Sequence, residues 1–113
     1  MKTRPLIPAP GADCPVTYCL SIIGGKWKPV ILFCIQFGVN RFGGMQRAIP
    51  GVTKQMLTLQ LRELEFDGLV KREVFAEIPP RVEYSLTERG QSILPVIKAM
   101  SDWAKMDKLS LNI

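Results

Sequence analysis

Residues 53–86 read TKQMLTLQLRELEFDGLVKREVFAEIPPRVEYSL, and they are the most informative part of the chain. The first part predicts an amphipathic helix over residues 53–66, because leucines recur there at the four- and three-residue spacing of one helical face. The leucines of this stripe are Leu57, Leu61 and Leu64. Gly68 should end the helix, since glycine adopts the left-handed conformation of a helix cap at little steric cost.

Two β-strands are predicted directly after this helix. Residues 69–76 and 81–86 are rich in β-branched and aromatic side chains, and Ile78-Pro79-Pro80 separates them. A helix with a polar, basic face that is followed at once by a basic hairpin is how a winged helix binds DNA.

The flanking sequence predicts further helices and an extended arm. Helices are expected over residues 14–23, 26–37, 41–49 and 88–108. Pro95 lies inside the last one and should bend it, because proline removes a backbone hydrogen bond and crowds the preceding turn. Residues 1–13 predict a flexible arm, and residues 14–113 predict one winged-helix DNA-binding and dimerisation domain. The fold class is therefore α+β, mainly α, with a two-stranded hairpin wing and a C-terminal dimerisation helix.

Composition limits the kind of protein this chain can be. It has 113 residues, of which 47% are hydrophobic, which is enough for one domain with its own core. The formal net charge of +5 favours polyanionic partners. Nucleic acid is favoured over membrane because no basic amphipathic helix is present. A basic surface that serves only solubility is the alternative.

The sequence lacks the residues on which many catalytic and metal sites depend. Histidine is absent, which excludes serine–histidine and cysteine–histidine nucleophile pairs and histidine metal sites. The three cysteines contain no CxxC pair and indicate neither a disulfide framework nor a zinc ribbon. No signal peptide or membrane-length apolar run is present. We therefore expect a cytoplasmic protein that is not an enzyme, with no cofactor, no metal and no membrane partner.

Six blocks of sequence carry a resemblance to a known family. They read CPV (14–16), GGKWK (24–28), PGVT (50–53), LRELE (61–65), DGLV (67–70) and PPRVEYSLT (79–87). In this order they resemble the HxlR-type transcriptional regulators, which are relatives of the MarR group of winged helix-turn-helix proteins. The resemblance covers roughly residues 14–105. It implies a homodimer that binds double-stranded operator DNA near the genes it controls.

The outward face of the 53–66 helix supplies the first candidate DNA contacts. With the leucine stripe against the core, Gln55 can pair with adenine, Arg62 with guanine or phosphate, and Thr58 with either. Leu59 can touch a thymine methyl group, and Lys54 lies on the flank. The alternative is an ordinary solvated helix face.

The predicted hairpin supplies the second set of DNA contacts. Lys71, Arg72 and Arg81 are available to phosphates or a minor groove, and Arg81 is the preferred candidate because it lies near the tip. The alternative is that Arg81 pairs with Glu77 or Glu83.

Two lysines near the start of the predicted second helix are secondary candidates. Lys26 and Lys28 could add phosphate contacts, or they could be merely solvated. Their position at a helix N-terminus gives no electrostatic benefit to the fold.

Apolar residues remain after the core should be full, and they predict a homodimer. Pairing through the first and last helices of two chains would cover them. The predicted interface residues are Val16, Leu20, Ile97, Met100, Trp103 and Met106. The two copies of the 53–66 helix, which would serve as recognition helices, would then lie about 34 Å apart and read an inverted repeat. The alternative is that the last helix folds back on its own core, for which Ile93 and Ile97 are available.

Cys14 is a candidate redox-sensing residue. It lies at the N-terminus of the first predicted helix, where the helix dipole favours a thiolate. Cys19 and Cys34 fall on apolar faces and are expected to be inert core residues. The resemblance implies sensing of electrophiles or disulfide stress through the Cys-Pro-Val block, which leaves open a small-molecule or electrophile effector. The alternative is a small residue that starts a helix and senses nothing.

A different class of function also fits part of the sequence. A winged-helix scaffold can hold a protein in place of DNA, and outward-facing Leu59 and Phe66 would suit such an interaction module. Binding to phosphates weakens steeply with salt, whereas an apolar contact barely responds, so salt dependence separates the two classes.

Overall fold

The computed structural model describes residues 14–111, and the arm predicted for residues 1–13 lies outside them. This part of the chain contains six helices and one two-stranded antiparallel sheet, and the last helix is the longest. The elements are α1 (Pro15–Ile23), α2 (Lys28–Gln36), α3 (Phe42–Ala48), α4 (Lys54–Phe66), β1 (Val70–Phe75), β2 (Arg81–Leu86), α5 (Glu88–Ser92) and α6 (Leu94–Leu111). The predicted fold class, α+β and mainly α with a hairpin and a C-terminal helix, is confirmed.

The core lies between α4 and α2. The three leucines of the predicted stripe on α4 are buried and pack with Ile31 and Leu32 of α2. Full burial of one such side chain contributes about 1.5–3 kcal/mol. This packing fixes the opposite, polar face of α4 toward solvent.

Both ends of α4 follow from local chemistry. The Thr53 side chain accepts a hydrogen bond of 3.1 Å from the Met56 N–H, as expected of an N-cap. At the other end, Gly68 has a φ of 77° and turns the chain toward β1. The Leu69 N–H then donates to the Leu64 carbonyl oxygen over 2.9 Å. The predicted start and stop of this helix are therefore confirmed.

The hairpin is tied to the helices at its base. Its register runs from Val70 opposite Leu86 to Phe75 opposite Arg81. In the middle of β2, the Tyr84 N–H donates to the Asn40 carbonyl oxygen over 2.9 Å, so the turn between α2 and α3 holds the wing. The wing therefore has a fixed position relative to α4.

The last helix differs from its prediction. We expected one bent helix, but it is two helices, α5 and α6, separated at Ile93. Pro95 has no N–H to donate and lies in the first turn of α6, where none is required. Proline here lies at the start of a helix and not in its middle.

The second helix also differs from its prediction. It begins at Lys28, because Trp27 is its N-cap, so Lys26 precedes it. Two of its apolar side chains, Val30 and Phe33, are exposed. This half of α2 is left uncovered by the rest of the chain.

A close contact joins α5 to the base of the wing. Gly90 is buried, and a Cβ atom at this position would overlap the carbonyl oxygen of Leu69. Thr87 reinforces the contact, since its hydroxyl donates to the Gly68 carbonyl oxygen over 2.5 Å. Only a residue without a side chain allows α5 to approach this closely.

Within residues 14–111, no single helix has both the length and the apolar character that a membrane crossing needs. Taken together, α1 and α2 have sufficient length and apolar character, but the two helices meet at an angle of 69°.

Candidate nucleic-acid interface

The polar face of α4 gathers the predicted helix contacts on one surface. They surround a shallow depression of about 370 Å³, which is lined by Lys54, Gln55, Thr58, Leu59 and Arg62. Leu59 lies among them with 51% of its surface exposed. The structure therefore places all five residues side by side, facing solvent.

A deeper cleft lies between α4 and the wing. Its volume is about 430 Å³, and it is lined by Phe42, Thr58, Arg62, Glu65, Arg72 and Tyr84. Within residues 14–111, neither Arg62 nor Arg72 forms an ion pair. Two cations at one cleft, contributed by helix and strand, outnumber the Glu65 carboxylate and are suited to an oxygen-rich anion such as a phosphate.

The two basic residues of β1 lie on opposite faces of the hairpin. Arg72 is opposite Tyr84 in the register, and both line the cleft beside α4. Successive side chains of a strand alternate between faces, so Lys71, opposite Ser85, points away from the cleft. The structure brings Arg72 to the α4 surface and leaves Lys71 outside it.

Arg81 is held by contacts within the wing. Its Nη2 lies 3.2 Å from Oε2 of Glu77 and its Nε lies 3.5 Å from Oε2 of Glu83. The guanidinium also stacks on Phe75, with 4.1 Å from its carbon to the ring centroid. The buried Nε makes no hydrogen bond, so the contact with Glu83 is a charge interaction only. Of the two alternatives for Arg81, ion pairing is the one observed, and its charge is already matched.

Lys28 is neither solvated nor placed to reach a phosphate, so that prediction is wrong. The residue is only 8% exposed, and its Nζ lies 2.6 Å from Oε1 of Glu63 on α4. Lys26 remains exposed and lies over the Trp27 ring, 4.8 Å from the centroid. Packing between α2 and α4 explains why two lysines so close in sequence have different environments.

The predicted dimer surface is largely exposed apolar surface. Trp103 is 69% exposed, and Val16, Leu20, Met100 and Met106 are exposed as well. Ile97 is the exception, because it is 5% exposed and belongs to the core of its own chain. Its placement at a dimer interface is therefore wrong, and the alternative of packing within its own chain is correct for this residue.

An apolar groove continues this surface between α2 and α6. Its volume is about 330 Å³, and it is lined by Pro29, Val30, Phe33, Ile97, Met100 and Ser101. Apolar grooves of this kind are commonly covered by another helix.

The three cysteines are thiols in different surroundings. Cys14 is the N-cap of α1, as predicted, and is buried. Cys19 and Cys34 are half-buried and pack against the core. Burial raises the pKa of the Cys34 thiol, which makes it a poor nucleophile at neutral pH.

A family model described as HxlR-like helix-turn-helix matches residues 22–110, which is most of the chain. The chain belongs to this family. The predicted resemblance is therefore confirmed, and α3, the turn and α4 have the order of a helix-turn-helix, in which the second helix is the recognition helix.

Relatives of this HxlR-like chain are described as transcriptional regulators. This chain is 47% identical over 95 residues to an HTH-type transcriptional regulator, YybR, of Bacillus subtilis, and the match covers 84% of this chain and 76% of that protein. It is 52% identical over 95 residues to another, YdeP, of the same organism, covering 84% of this chain and 74% of that protein.

Solved structures give the same fold. The oxidised form of the redox regulator HypR is 48% identical with a TM-score of 0.79, and the match covers 82% of this chain and 96% of that chain. The reduced form of HypR is 46% identical with a TM-score of 0.81, and the match covers 87% of this chain and 97% of that chain.

Sequence reasoning missed several cations of this HxlR-like chain. Arg89 of α5 donates to the carbonyl oxygen of Asp67 and, over 3.2 Å, to the hydroxyl of Tyr18. Its partners are far away along the chain, so no local pattern could have shown these bonds. Arg41 is the N-cap of α3 and Arg47 lies in its last turn, and both are exposed. Their place in the helix that precedes the recognition helix was a usable signal, because that helix crosses the DNA backbone in helix-turn-helix proteins.

In the part of the chain that the structure describes, no group of three cysteine, aspartate or glutamate residues is arranged to hold an ion.

Proposed function

We propose that this protein is a cytoplasmic transcription regulator that binds operator DNA as a homodimer, and not an enzyme. One observation carries the proposal: Arg62 of the recognition helix and Arg72 of the wing line the same cleft, next to the row of outward-facing residues on α4. The arginines would hold a phosphate, while Gln55 and Thr58 face the base edges. The net charge of +5 agrees with a polyanionic partner.

The homodimer is supported by the apolar surface of α1 and α6. A two-fold pairing of this surface would bury Trp103 and Met106 without disturbing the core. Two copies of α4 would then lie about 34 Å apart and read successive turns of one face of the duplex. The expected operator is an inverted repeat.

The test is to incubate purified protein with sheared genomic DNA at physiological salt, recover the complexes and sequence the bound fragments. A short inverted repeat near a few promoters is the expected result. Uniform or absent enrichment, together with a monomer in sedimentation, would contradict the proposal.

We further propose that the regulator responds to oxidants through Cys14. Its support is the N-cap position of Cys14 and the similarity to HypR, a redox regulator. Two protomers would each contribute a thiol, which lose two protons and two electrons to an oxidant such as diamide and form one disulfide. Because Cys14 is buried, the chain around it must open first, and the disulfide would hold the recognition helices in a changed position.

The test compares operator binding before and after diamide in the wild type and in Cys14→Ser. The wild type should change its affinity and form a covalent dimer on non-reducing gels, and Cys14→Ser should do neither. A diamide response that survives in Cys14→Ser would refute the sensing role.

A second candidate function is a protein-interaction module. Phe66 at the end of α4 is 91% exposed, and Leu59 is exposed on the same face, which suits an apolar partner. Binding that barely changes between about 50 and 200 mM salt would favour this function over DNA binding.

A further inference from the structure

A buried charge lies directly behind the proposed DNA-reading face. Lys28 begins α2, and its ammonium lies 2.6 Å from the carboxylate of Glu63 on α4. Lys28 is buried, whereas Glu63 is half-exposed and follows Arg62 in the chain. The pair is therefore unequal: the ammonium depends on its partner, and the carboxylate is also reached by water.

Four charged residues line a cleft of about 410 Å³ on this side of α4. The charged residues are Lys28, Arg62, Glu63 and Asp67, and the uncharged Ser21 and Phe66 complete the lining. The two cations balance the two carboxylates while Lys28 is present. Without Lys28 the cleft would have a net negative charge beside Arg62, and such a field would repel phosphate groups.

We propose that Lys28 is a positioning residue for DNA binding that acts through Glu63 and does not touch the DNA. It holds the Glu63 carboxylate against α2 and neutralises it, so Arg62 keeps its full attraction for a phosphate. The inference rests on the proposed function, and it replaces a direct phosphate contact of Lys28, which its burial opposes.

The unequal burial predicts unequal effects on stability. Lys28→Met removes a buried charge and keeps an unbranched apolar stem, so the melting temperature should stay close to that of the wild type. Glu63→Gln leaves a buried ammonium without its carboxylate and should lower the melting temperature. In Lys28→Met/Glu63→Gln, neither unpaired charge remains.

The experiment measures anisotropy of a fluorescently labelled mixed-sequence duplex between about 50 and 200 mM salt, where non-specific binding is electrostatic. Lys28→Met should weaken binding on the order of fivefold at an unchanged melting temperature. Lys28→Met/Glu63→Gln should return to within about twofold of the wild type.

Lys98→Met is the matched control. Lys98 pairs with Asp102 on α6 at 2.9 Å, and both are exposed. The substitution changes the net charge equally and releases a carboxylate, but on a different helix from the DNA-reading face. It should bind the duplex as tightly as the wild type.

Three outcomes would overturn the inference. A double variant as weak as Lys28→Met would mean that Lys28 itself contacts a phosphate. Equal weakening in Lys98→Met would assign the loss to net charge, and a melting temperature that falls along with binding would make the pair structural only. If the wild type bound no duplex even at low salt, the proposed function itself would be wrong, which is a separate result.

Discussion

Replacing Trp103 by alanine should dissociate the proposed dimer without unfolding the protomer. A tryptophan buries roughly 150–250 Å² at an interface, and 69% of Trp103 is exposed in the single chain. At about 25 cal/mol per Å², covering that surface contributes on the order of 3 kcal/mol per protomer. Ordering of side chains at the interface opposes this gain. We therefore expect a loss of at least about 2 kcal/mol of dimerisation free energy, or roughly 30-fold in the dissociation constant.

The assay is sedimentation equilibrium over a range of protein concentrations, with circular dichroism to check the fold. Ile78→Ala is the matched control, because Ile78 is a fully exposed apolar residue at the wing tip, away from α6. The control should dimerise like the wild type. Equal dissociation constants for Trp103→Ala and the wild type would refute the assignment of α6 to the interface, as would a wild-type protein that remains monomeric.

Three further predictions concern packing, salt dependence and pH. Gly90→Ala should lower the free energy of unfolding, measured in urea, by about 1–3 kcal/mol, because the added methyl group overpacks the contact with Leu69. The control Gly43→Ala, in an open position of α3, should raise this free energy by up to about 1 kcal/mol. Equal effects of the two substitutions would contradict the close contact between α5 and the wing. Arg62→Ala and Arg72→Ala should each reduce the salt slope of DNA binding by about one, and unchanged slopes would remove the cleft from the interface. Burial raises the pKa of the Cys34 thiol, so the protonated thiol contributes to the stability of the fold at pH values below the unfolded-state pKa. This contribution is lost as pH rises through the folded-state pKa. Iodoacetamide should label Cys34 slowly at neutral pH and faster at alkaline pH, as followed by mass spectrometry, and fast neutral labelling would contradict it.

Local signals predicted the recognition helix almost to the residue. Thr53 and Gly68 act within one turn of the chain, through a side-chain cap and a left-handed backbone conformation, so their neighbours in sequence are sufficient to interpret them. Pro95 was interpreted less well, because the same residue bends a helix from its middle and starts one from its first turn. Which of the two occurs depends on whether the chain before it stays helical.

Long-range packing explains the site residues that sequence placed wrongly. An apolar stripe on a helix does not show whether the same chain or a second copy covers it. Ile97 is covered by its own chain, whereas Trp103 is exposed. Lys28 was predicted to contact a phosphate or to be merely solvated, because its partner is on another helix and no local pattern shows it. Arg81 was different, since Glu77 and Glu83 are near in sequence and the pairing was foreseen as an alternative.

The interruption at Ile93 is a break of one residue between α5 and α6. In a dimer joined through α6, a small rotation at this joint would be multiplied by the length of the helix before it reached the second recognition helix. The spacing between operator half-sites could therefore change by substitutions at Ile93 and Pro95 alone. Such substitutions would leave the residues that read bases and those that join the protomers untouched, so related regulators could acquire different operators without altering either surface.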